Sequence, residues 1–231
     1  MASEALTFAC TFRDRVERRS CAIGTLVIAG WTGRDQAKVD EHIAELAALG
    51  VKPPATTPCF YRVSAANLTT ADRIQVAGTD STGEAEAVLV FMDDGIWVGV
   101  GSDHTDRVLE ATGVTLSKQL CAKPVSQTLW RLDDVHDHWD RIALRAEATI
   151  DGAPRLYQDG TLAAMRPPAD LMERYGKSGG TLGPGAAMYC GTLPVHGGIA
   201  FATAFEVSLE DPVLGRRIAH RYAIEPLPVI G

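Results

Sequence analysis

The sequence predicts a β-rich α+β fold with few helices. Short apolar runs of strand length dominate the chain, Asp-Gly turns separate some of them, and few stretches have the apolar spacing of a helix. The chain has 231 residues, of which 46% are hydrophobic and 22% are charged. These values are typical of a globular protein and argue against disorder.

The strand predictions rest on short runs rich in apolar and β-branched residues. These runs are residues 7–12, 21–29, 73–77, 86–91, 96–100, 141–150, 186–190, 199–208 and 217–224. Hairpin turns are expected at Asp93-Asp94-Gly95 and at Asp151-Gly152, because Asp-Gly favours tight two-residue connections.

Helices are predicted at about 34–49, at about 103–111 and from Pro167-Pro168 to Tyr175. In the first, Val39, Ile43, Leu46 and Leu49 recur on one face, and a glycine follows each of the three helices as a stop signal. We divide the chain into an N-terminal strand-plus-helix segment, residues 1–55, and a main domain, residues 56–231.

Charge and cysteine usage exclude several classes of function. Twenty-two basic and 29 acidic residues give a net charge of −7, and no basic run is present, so neither nucleic acid nor a membrane surface is expected as a partner. No apolar stretch approaches the length of a membrane span, and no secretory signal is readable. Five scattered cysteines without a Cys-x-x-Cys pair predict reduced thiols and a cytoplasmic protein.

Three carboxylates form the most informative pattern. Glu84 and Glu86 are two residues apart on a predicted strand, so their side chains point to the same face. Asp103 follows the next predicted strand and could join them as a third ligand. Three oxygen ligands suit Mg²⁺ or Mn²⁺, whereas zinc usually takes His or Cys. The alternative is a solvated strand end.

Two further features are candidates for catalysis. His42 and Glu45 are three residues apart on the first helix, so the carboxylate could orient the imidazole as a general base. The alternative is an exposed histidine. Lys123 could stabilise a developing enolate, and Lys118 is a nearby competitor for that role. His136 and His138 could bind a metal or lie in a solvated acidic loop.

Taken in order, these pieces resemble the fumarylacetoacetate hydrolase (FAH) family over roughly residues 31–195. The matching segments are Asp40-Glu41-His42-Ile43-Ala44-Glu45, Pro58-Cys59-Phe60-Tyr61-Arg62, Glu84-Ala85-Glu86, Ser102-Asp103-His104-Thr105-Asp106-Arg107, Ala122-Lys123, Asp151-Gly152 with Gln158, and Pro184-Gly185 through Gly191-Thr192. The chain departs from the family pattern at Ser102, His104, Asp106 and Ala186.

The resemblance implies a mixed β-sheet roll or barrel, a homodimer and a divalent metal, Mg²⁺ or Mn²⁺. It implies Glu84, Glu86 and Asp103 as metal ligands, His42, Glu45 and Lys123 as catalytic residues, and Arg107, Gln158 and Thr192 as substrate-binding residues. The expected reaction is hydrolysis of a C–C bond in a small 2-oxo acid or 1,3-dicarbonyl substrate.

Other reactions of the same site stay open. A β-oxo acid decarboxylase or a 2-oxo-3-deoxy sugar acid dehydratase would use the same stabilisation of an enolate. A metal-dependent protein that only binds a small acid is the alternative outside enzymes.

Overall fold

Two mixed sheets form the framework of the molecule in the computed structural model, which describes residues 5–13, 15–48 and 52–230. Strands are numbered in order through the chain. The larger sheet contains β1 (Ala5–Phe12), β2 (Arg15–Ala22), β3 (Thr25–Gly30), β4 (Cys59–Val63), β8 (Ala85–Met92), β9 (Gly95–Ser102), β12 (Thr128–Arg131) and β15 (Ala186–Thr192). Their order across the sheet is β2-β1-β12-β9-β8-β15-β3-β4.

The smaller sheet has five strands and packs on one face of the larger sheet. It contains β6 (Arg73–Ala77), β13 (Ala143–Ile150), β14 (Ala153–Thr161), β16 (Ala204–Asp211) and β17 (Arg216–Leu227), in the order β14-β13-β16-β17-β6. Two short pairs complete the strands: β7 (Ser81–Thr82) with β10 (Thr105–Asp106), and β5 (Leu68–Thr69) with β11 (Lys123–Pro124).

Helices are short and lie between strands. The α-helices are α1 (Gln36–Ala48), α2 (Arg107–Glu110), α3 (Val114–Leu120) and α4 (Pro168–Lys177), and 3₁₀ turns cover Ala65–Asn67, Leu132–Asp134, His136–Arg141 and Leu162–Ala164. Proline at the first position of α4 suits a helix start, because that residue needs no N–H donor.

Strand β8 lies at the centre of both hydrophobic clusters. Along β8, Ala87 and Leu89 face the cluster between the two sheets, whereas Val88 and Val90 face the cluster on the other side of the larger sheet. Both faces of β8 are therefore covered, and the strand is buried along its whole length. This burial explains its continuous apolar sequence.

The predicted β-rich α+β class is confirmed, and the hairpins at Gly95 and at Asp151-Gly152 form as expected. Asp151 and Gly152 both have positive φ, 53° and 77°, as a tight two-residue hairpin turn requires. Strands β1, β2 and β3 lie in the same sheet as β8. The division of the chain at residue 55 stays a prediction.

Two predicted elements are wrong. The single strand at 21–29 is two strands, because the chain leaves its pairing with β1 and turns at Ile23-Gly24, where Gly185 O accepts hydrogen bonds from Gly24 N and Thr25 N. The helix at 103–111 begins only at Arg107, since Asp106 caps it by accepting a hydrogen bond from Leu109 N at 2.8 Å.

Two other predicted elements shift at their ends. The strand at 199–208 is displaced to Ala204–Asp211, and the first helix is found at Gln36–Ala48. Leu49 and Gly50 lie outside the described residues. Within the described ranges, no helix is long and apolar enough to cross a membrane.

We expect Leu89→Ala to lower the free energy of unfolding by about 2–5 kcal/mol, because the fully buried side chain leaves a cavity on the central strand. Urea unfolding followed by circular dichroism measures the change. Leu214→Ala, at a leucine that is 51% exposed, is the control and should change stability by less than about 0.5 kcal/mol. Equal effects of the two substitutions would contradict the central position of β8.

Candidate metal centre

Glu84, Glu86 and Asp103 converge where β8 begins and β9 ends. One oxygen from each carboxylate lies within 4.8 Å of the others. The two strands pair in antiparallel register with Glu86 opposite Gly101, and Asp103 N donates a hydrogen bond to Glu84 O at 2.9 Å. Glu86 and Asp103 are buried, and Glu84 is partly buried. The predicted triad is therefore brought together by the β8–β9 hairpin.

Three basic side chains surround the triad. Lys118 forms an ion pair with Asp103 and lies 3.6 Å from Glu84 Oε2. Lys123 Nζ lies 3.2 Å from Asp103 Oδ1. Arg107 bonds Glu84 Oε1 at 3.0 Å. Glu84 and Asp103 thus each have a cationic partner.

Burial and neighbouring charges shift the pKa values in different directions. Burial, reinforced by the charges of Asp103 and Glu84, raises the pKa of Glu86 well above its ordinary value. Burial alone would raise the pKa of Asp103, but Lys118 and Lys123 hold it below its ordinary value. For Lys118, burial acts to lower the pKa, yet Asp103 and Glu84 raise it overall. Lys118 is therefore a protonated cation at neutral pH.

Lys123 is held differently from Lys118. Its ammonium group donates to His104 O and, at 3.2 Å, to Cys121 O, and the side chain is fully buried. Burial lowers its pKa, and the attraction of Asp103 offsets only part of this effect. Two backbone carbonyls and one carboxylate therefore fix Lys123 beside Asp103.

Two side chains hold the backbone between the two glutamates, one from each sheet. Gln158, on β14, accepts a hydrogen bond from Ala85 N at 2.8 Å, and its amide nitrogen donates to Thr192 Oγ1 at 2.7 Å. The Thr192 hydroxyl in turn donates to Ala85 O at 2.8 Å. Both backbone groups of Ala85 are thus satisfied by side chains, which fixes the direction of Glu84 and Glu86.

Gly191 holds Glu86 directly. Its N–H donates to Glu86 Oε2 at 2.6 Å, and its φ of +99° lies in the left-handed region. A Cβ at this position would lie 1.7 Å from Thr32 Oγ1. The position therefore requires glycine for both conformation and space.

A neutral hydrogen-bond network supports the other side of the triad. Ser102 Oγ accepts from Glu84 N at 3.1 Å and from the Tyr222 hydroxyl at 2.8 Å. The His104 ring lies within hydrogen-bond distance of the Tyr222 and Ser81 hydroxyls, at 3.1 and 3.0 Å. Burial, with the charges of Lys123 and Arg107, lowers the pKa of His104 to about 3, so the ring is neutral at pH 7.

The histidine candidates and Glu45 lie on α1 and in the 3₁₀ turn His136–Arg141. Residues 42 and 45 lie on α1 as predicted, and Glu45 is exposed. The side chain of His42 lies outside the described residues. His138 contacts Asp211 Oδ1 at 3.0 Å, whereas His136 is exposed beside Asp137.

Sequence reasoning named Lys118 only as a competitor of Lys123 and gave Glu110 no place beside the triad. Lys118 is on α3, a helix that was not predicted, and Glu110 pairs with Arg107 at 3.1 Å. The one sequence signal for this region was the short spacing between Ser117-Lys118 and Lys123. Over this spacing the chain passes from helix α3 to strand β11. That spacing alone does not reveal which lysine faces the carboxylates.

The comparisons with known proteins agree with this architecture. A family model described as "Protein of unknown function (DUF2848)" matches residues 29–222. No curated protein matches the sequence.

Solved structures share the fold. The fumarylpyruvate hydrolase from Pseudomonas aeruginosa in complex with Mn²⁺ and pyruvate is 16% identical, with a TM-score of 0.63, and the alignment covers 98% of this chain and 97% of that chain. The 2-keto-3-deoxy-D-arabinonate dehydratase complexed with magnesium and 2,5-dioxopentanoate is 15% identical, with a TM-score of 0.63 and coverage of 95% and 79%.

A third structure, a candidate fumarylacetoacetate isomerase/hydrolase from Oleispira antarctica, is 17% identical, with a TM-score of 0.63 and coverage of 94% and 98%. At these identities the similarity shows a shared fold. The fold predicted from the resemblance to the FAH family is therefore confirmed.

We expect Gly191→Ala to destabilise the protein by about 1–3 kcal/mol, because an alanine is strained at this φ and its Cβ meets Thr32. Thermal unfolding measures the loss. Gly176→Ala is the matched control, since nothing lies within 4 Å of its added Cβ and it lies within α4. There alanine should be neutral or slightly stabilising. A stable Gly191→Ala variant would show that the described geometry at Glu86 is wrong.

Proposed function

The chain belongs to the DUF2848 family, and from that premise we propose that it is an Mg²⁺- or Mn²⁺-dependent enzyme that hydrolyses a C–C bond in a 2-oxo acid or 1,3-dicarbonyl substrate. The observation that carries the proposal is the buried triad of Glu84, Glu86 and Asp103, whose ligand oxygens lie within 4.8 Å of one another. A cytoplasmic homodimer is proposed on the resemblance to the FAH family alone.

The donor set fits a hard divalent ion. All three groups offer carboxylate oxygens, which Mg²⁺ and Mn²⁺ prefer. Asp103 Oδ1 is buried and, among the described residues, has no hydrogen-bond partner of good geometry although Lys123 is close. Glu86 is bound through Oε2 to Gly191 N. When bound, a divalent ion supplies Lewis-acid polarisation of a substrate carbonyl.

Residues of the chain carry the remaining steps of the proposal. His42, oriented by Glu45, takes a proton from the water that attacks the distal carbonyl carbon, and the bond between this carbon and the neighbouring carbon breaks. Lys123 acts on the negative charge of the leaving enolate through its own positive charge and not by direct contact, because its buried ammonium group is already engaged by His104 O, Cys121 O and Asp103.

Arg107 is a candidate for binding the substrate carboxylate. It is largely enclosed, and its Nε is buried without a hydrogen-bond partner in the described part of the chain. Arginine suits carboxylate recognition because its donors form a planar fork. We propose Thr192 as a second, half-buried substrate contact, whereas Gln158 acts on the site through Ala85, since its amide is fully engaged.

A dehydratase of 2-oxo-3-deoxy sugar acids is the second candidate. The structural similarity to a 2-keto-3-deoxy-D-arabinonate dehydratase complexed with magnesium favours it. Both reactions need the same stabilised enolate, and they differ in whether water attacks carbon or is eliminated. Decarboxylation of a β-oxo acid such as oxaloacetate would need no attacking water.

A substrate panel tests the proposed function. Acylpyruvates, oxaloacetate and 2-oxo-3-deoxy sugar acids are each incubated with the protein and Mg²⁺ or Mn²⁺, and products are identified by mass spectrometry. Cleavage of an acylpyruvate into pyruvate and a carboxylic acid is the expected result. If every substrate stays unchanged with both metals, the proposed enzyme activity is wrong.

Glu86→Gln should weaken Mn²⁺ binding by at least about 100-fold, because the amide removes a charged ligand while keeping the shape of the side chain. Isothermal titration calorimetry measures the affinity. Glu110→Gln is the matched control, since Glu110 pairs with Arg107 but lies outside the triad. Full Mn²⁺ affinity in Glu86→Gln would refute the ligand assignment.

His42→Ala should abolish hydrolysis and leave the Mn²⁺ affinity unchanged, because the imidazole is proposed to act on water and not on the metal. Turnover and calorimetry are measured on the same sample. Lys38→Ala, at an exposed position one turn earlier on α1, is the control for the helix. Unchanged turnover in His42→Ala would exclude the general-base role.

A further inference from the structure

Lys118 is a cation that the proposed mechanism does not use. Its ammonium group forms an ion pair with Asp103 and lies 3.6 Å from Glu84 Oε2, two of the three carboxylates of the triad. The side chain is only 6% exposed. A buried positive charge therefore already lies against two of the three carboxylates that a divalent ion would use.

The contacts of Lys118 differ from those of Lys123 in a way that matters for metal binding. Lys123 is fixed by two backbone carbonyls in addition to Asp103. Among the described residues, the oxygen partners of Lys118 Nζ are carboxylates, and its other contact is the face of the Tyr61 ring, 5.8 Å from the ring centroid. Lys118 can move without breaking a backbone hydrogen bond, whereas Lys123 cannot.

The balance of positive and negative charges in the site explains the position of Lys118. The triad carries up to three negative charges in a buried site, and isolated carboxylates at such distances would repel one another. Arg107 forms ion pairs with both Glu84 and Glu110, and Lys123 forms an ion pair with Asp103. Lys118 supplies the remaining positive charge between Glu84 and Asp103.

We propose that Lys118 is a tethered counter-ion that competes with the divalent metal for Asp103 and Glu84, and so sets how tightly the site binds metal. The inference rests on the proposed metal site. Two cations held by the same two carboxylates repel each other, so metal binding displaces the ammonium group from Asp103. The displaced group stays within its side-chain length of the triad, beside Tyr61.

The test is the Mn²⁺ affinity of Lys118→Met measured by isothermal titration calorimetry at constant pH and ionic strength. Methionine has similar length and no charge, so we expect the dissociation constant to fall by about tenfold or more. Lys118→Arg keeps the charge and should bind Mn²⁺ as the native protein does. Lys177→Met is the matched control, because Lys177 also pairs with a carboxylate, that of Glu173, but is 72% exposed and lies outside the site.

The outcomes separate this inference from the proposed function. If the native protein binds Mn²⁺ and Lys118→Met binds it equally or more weakly, the counter-ion role is wrong and the metal site stands. If only Lys118→Met binds Mn²⁺, the competition is supported and metal dependence of the native protein is wrong. If neither protein binds Mn²⁺, both proposals are wrong.

A measurement on the native protein covers the case in which Lys118→Met does not fold. Reductive methylation of lysines, followed by peptide mass spectrometry, is carried out with and without Mn²⁺. Release from Asp103 should increase the modification of Lys118 at least severalfold while Lys123, held by backbone carbonyls, stays protected. Equal modification of Lys118 with and without Mn²⁺ would overturn the proposal.

Discussion

The mutual neutralisation of buried charges at the start of β8 is the constraint on which the site depends. Glu86 and Asp103 are almost or completely inaccessible to solvent, and an isolated buried carboxylate would be strongly destabilising. The positive charges of Lys118 and Lys123 stabilise the Asp103 carboxylate. Glu86 accepts a hydrogen bond from Gly191 N, and its raised pKa favours the neutral carboxyl group. These groups come from separate parts of the chain, so the site exists only when the whole fold is formed.

The two sheets share the task of holding the carboxylates. The larger sheet provides β8 and β9, whose pairing sets the separation of Glu84 and Glu86 from Asp103. The smaller sheet reaches across the core with Gln158, which binds the backbone of Ala85. Displacement of either sheet would change the direction of the glutamates, because the backbone between them is fixed from both sides.

Period-two alternation made part of this site predictable. The two-residue spacing predicted that Glu84 and Glu86 share a face, and Asp103 was predicted to follow the returning strand. The resemblance to the FAH family then favoured a metal triad over a solvated strand end, and in the structure Glu84 lies just before β8. Most of the predicted strands are also found, whereas the predicted helices rested on apolar residues spaced along one helix face. Strand β2 was missed because it is an exposed edge strand with charged residues on both faces, which gives no apolar period.

Long-range contacts account for what the sequence could not reveal. Asp103 and His104 continue the extended chain instead of starting a helix, because they are buried and hydrogen-bonded to distant residues such as Tyr222. The same limit applies to Lys118, whose partner Asp103 is known only once α3 is seen to pack beside the hairpin. Propensity describes a segment alone, whereas these positions are decided by tertiary partners.

The energetics of the cluster argue that it serves chemistry more than stability. Replacing buried ion pairs with well-packed apolar residues is often neutral or stabilising, so stability alone does not explain three acids and two lysines in one site. The neighbouring Ser81, His104 and Tyr222 bond one another as a neutral network, so the polar groups in that part of the core need no charged partner. The charged groups beside them are surplus to that structural need, and clusters of buried titratable groups are typical of functional sites. This surplus charge is the physical reason to place the proposed reaction centre at the start of β8.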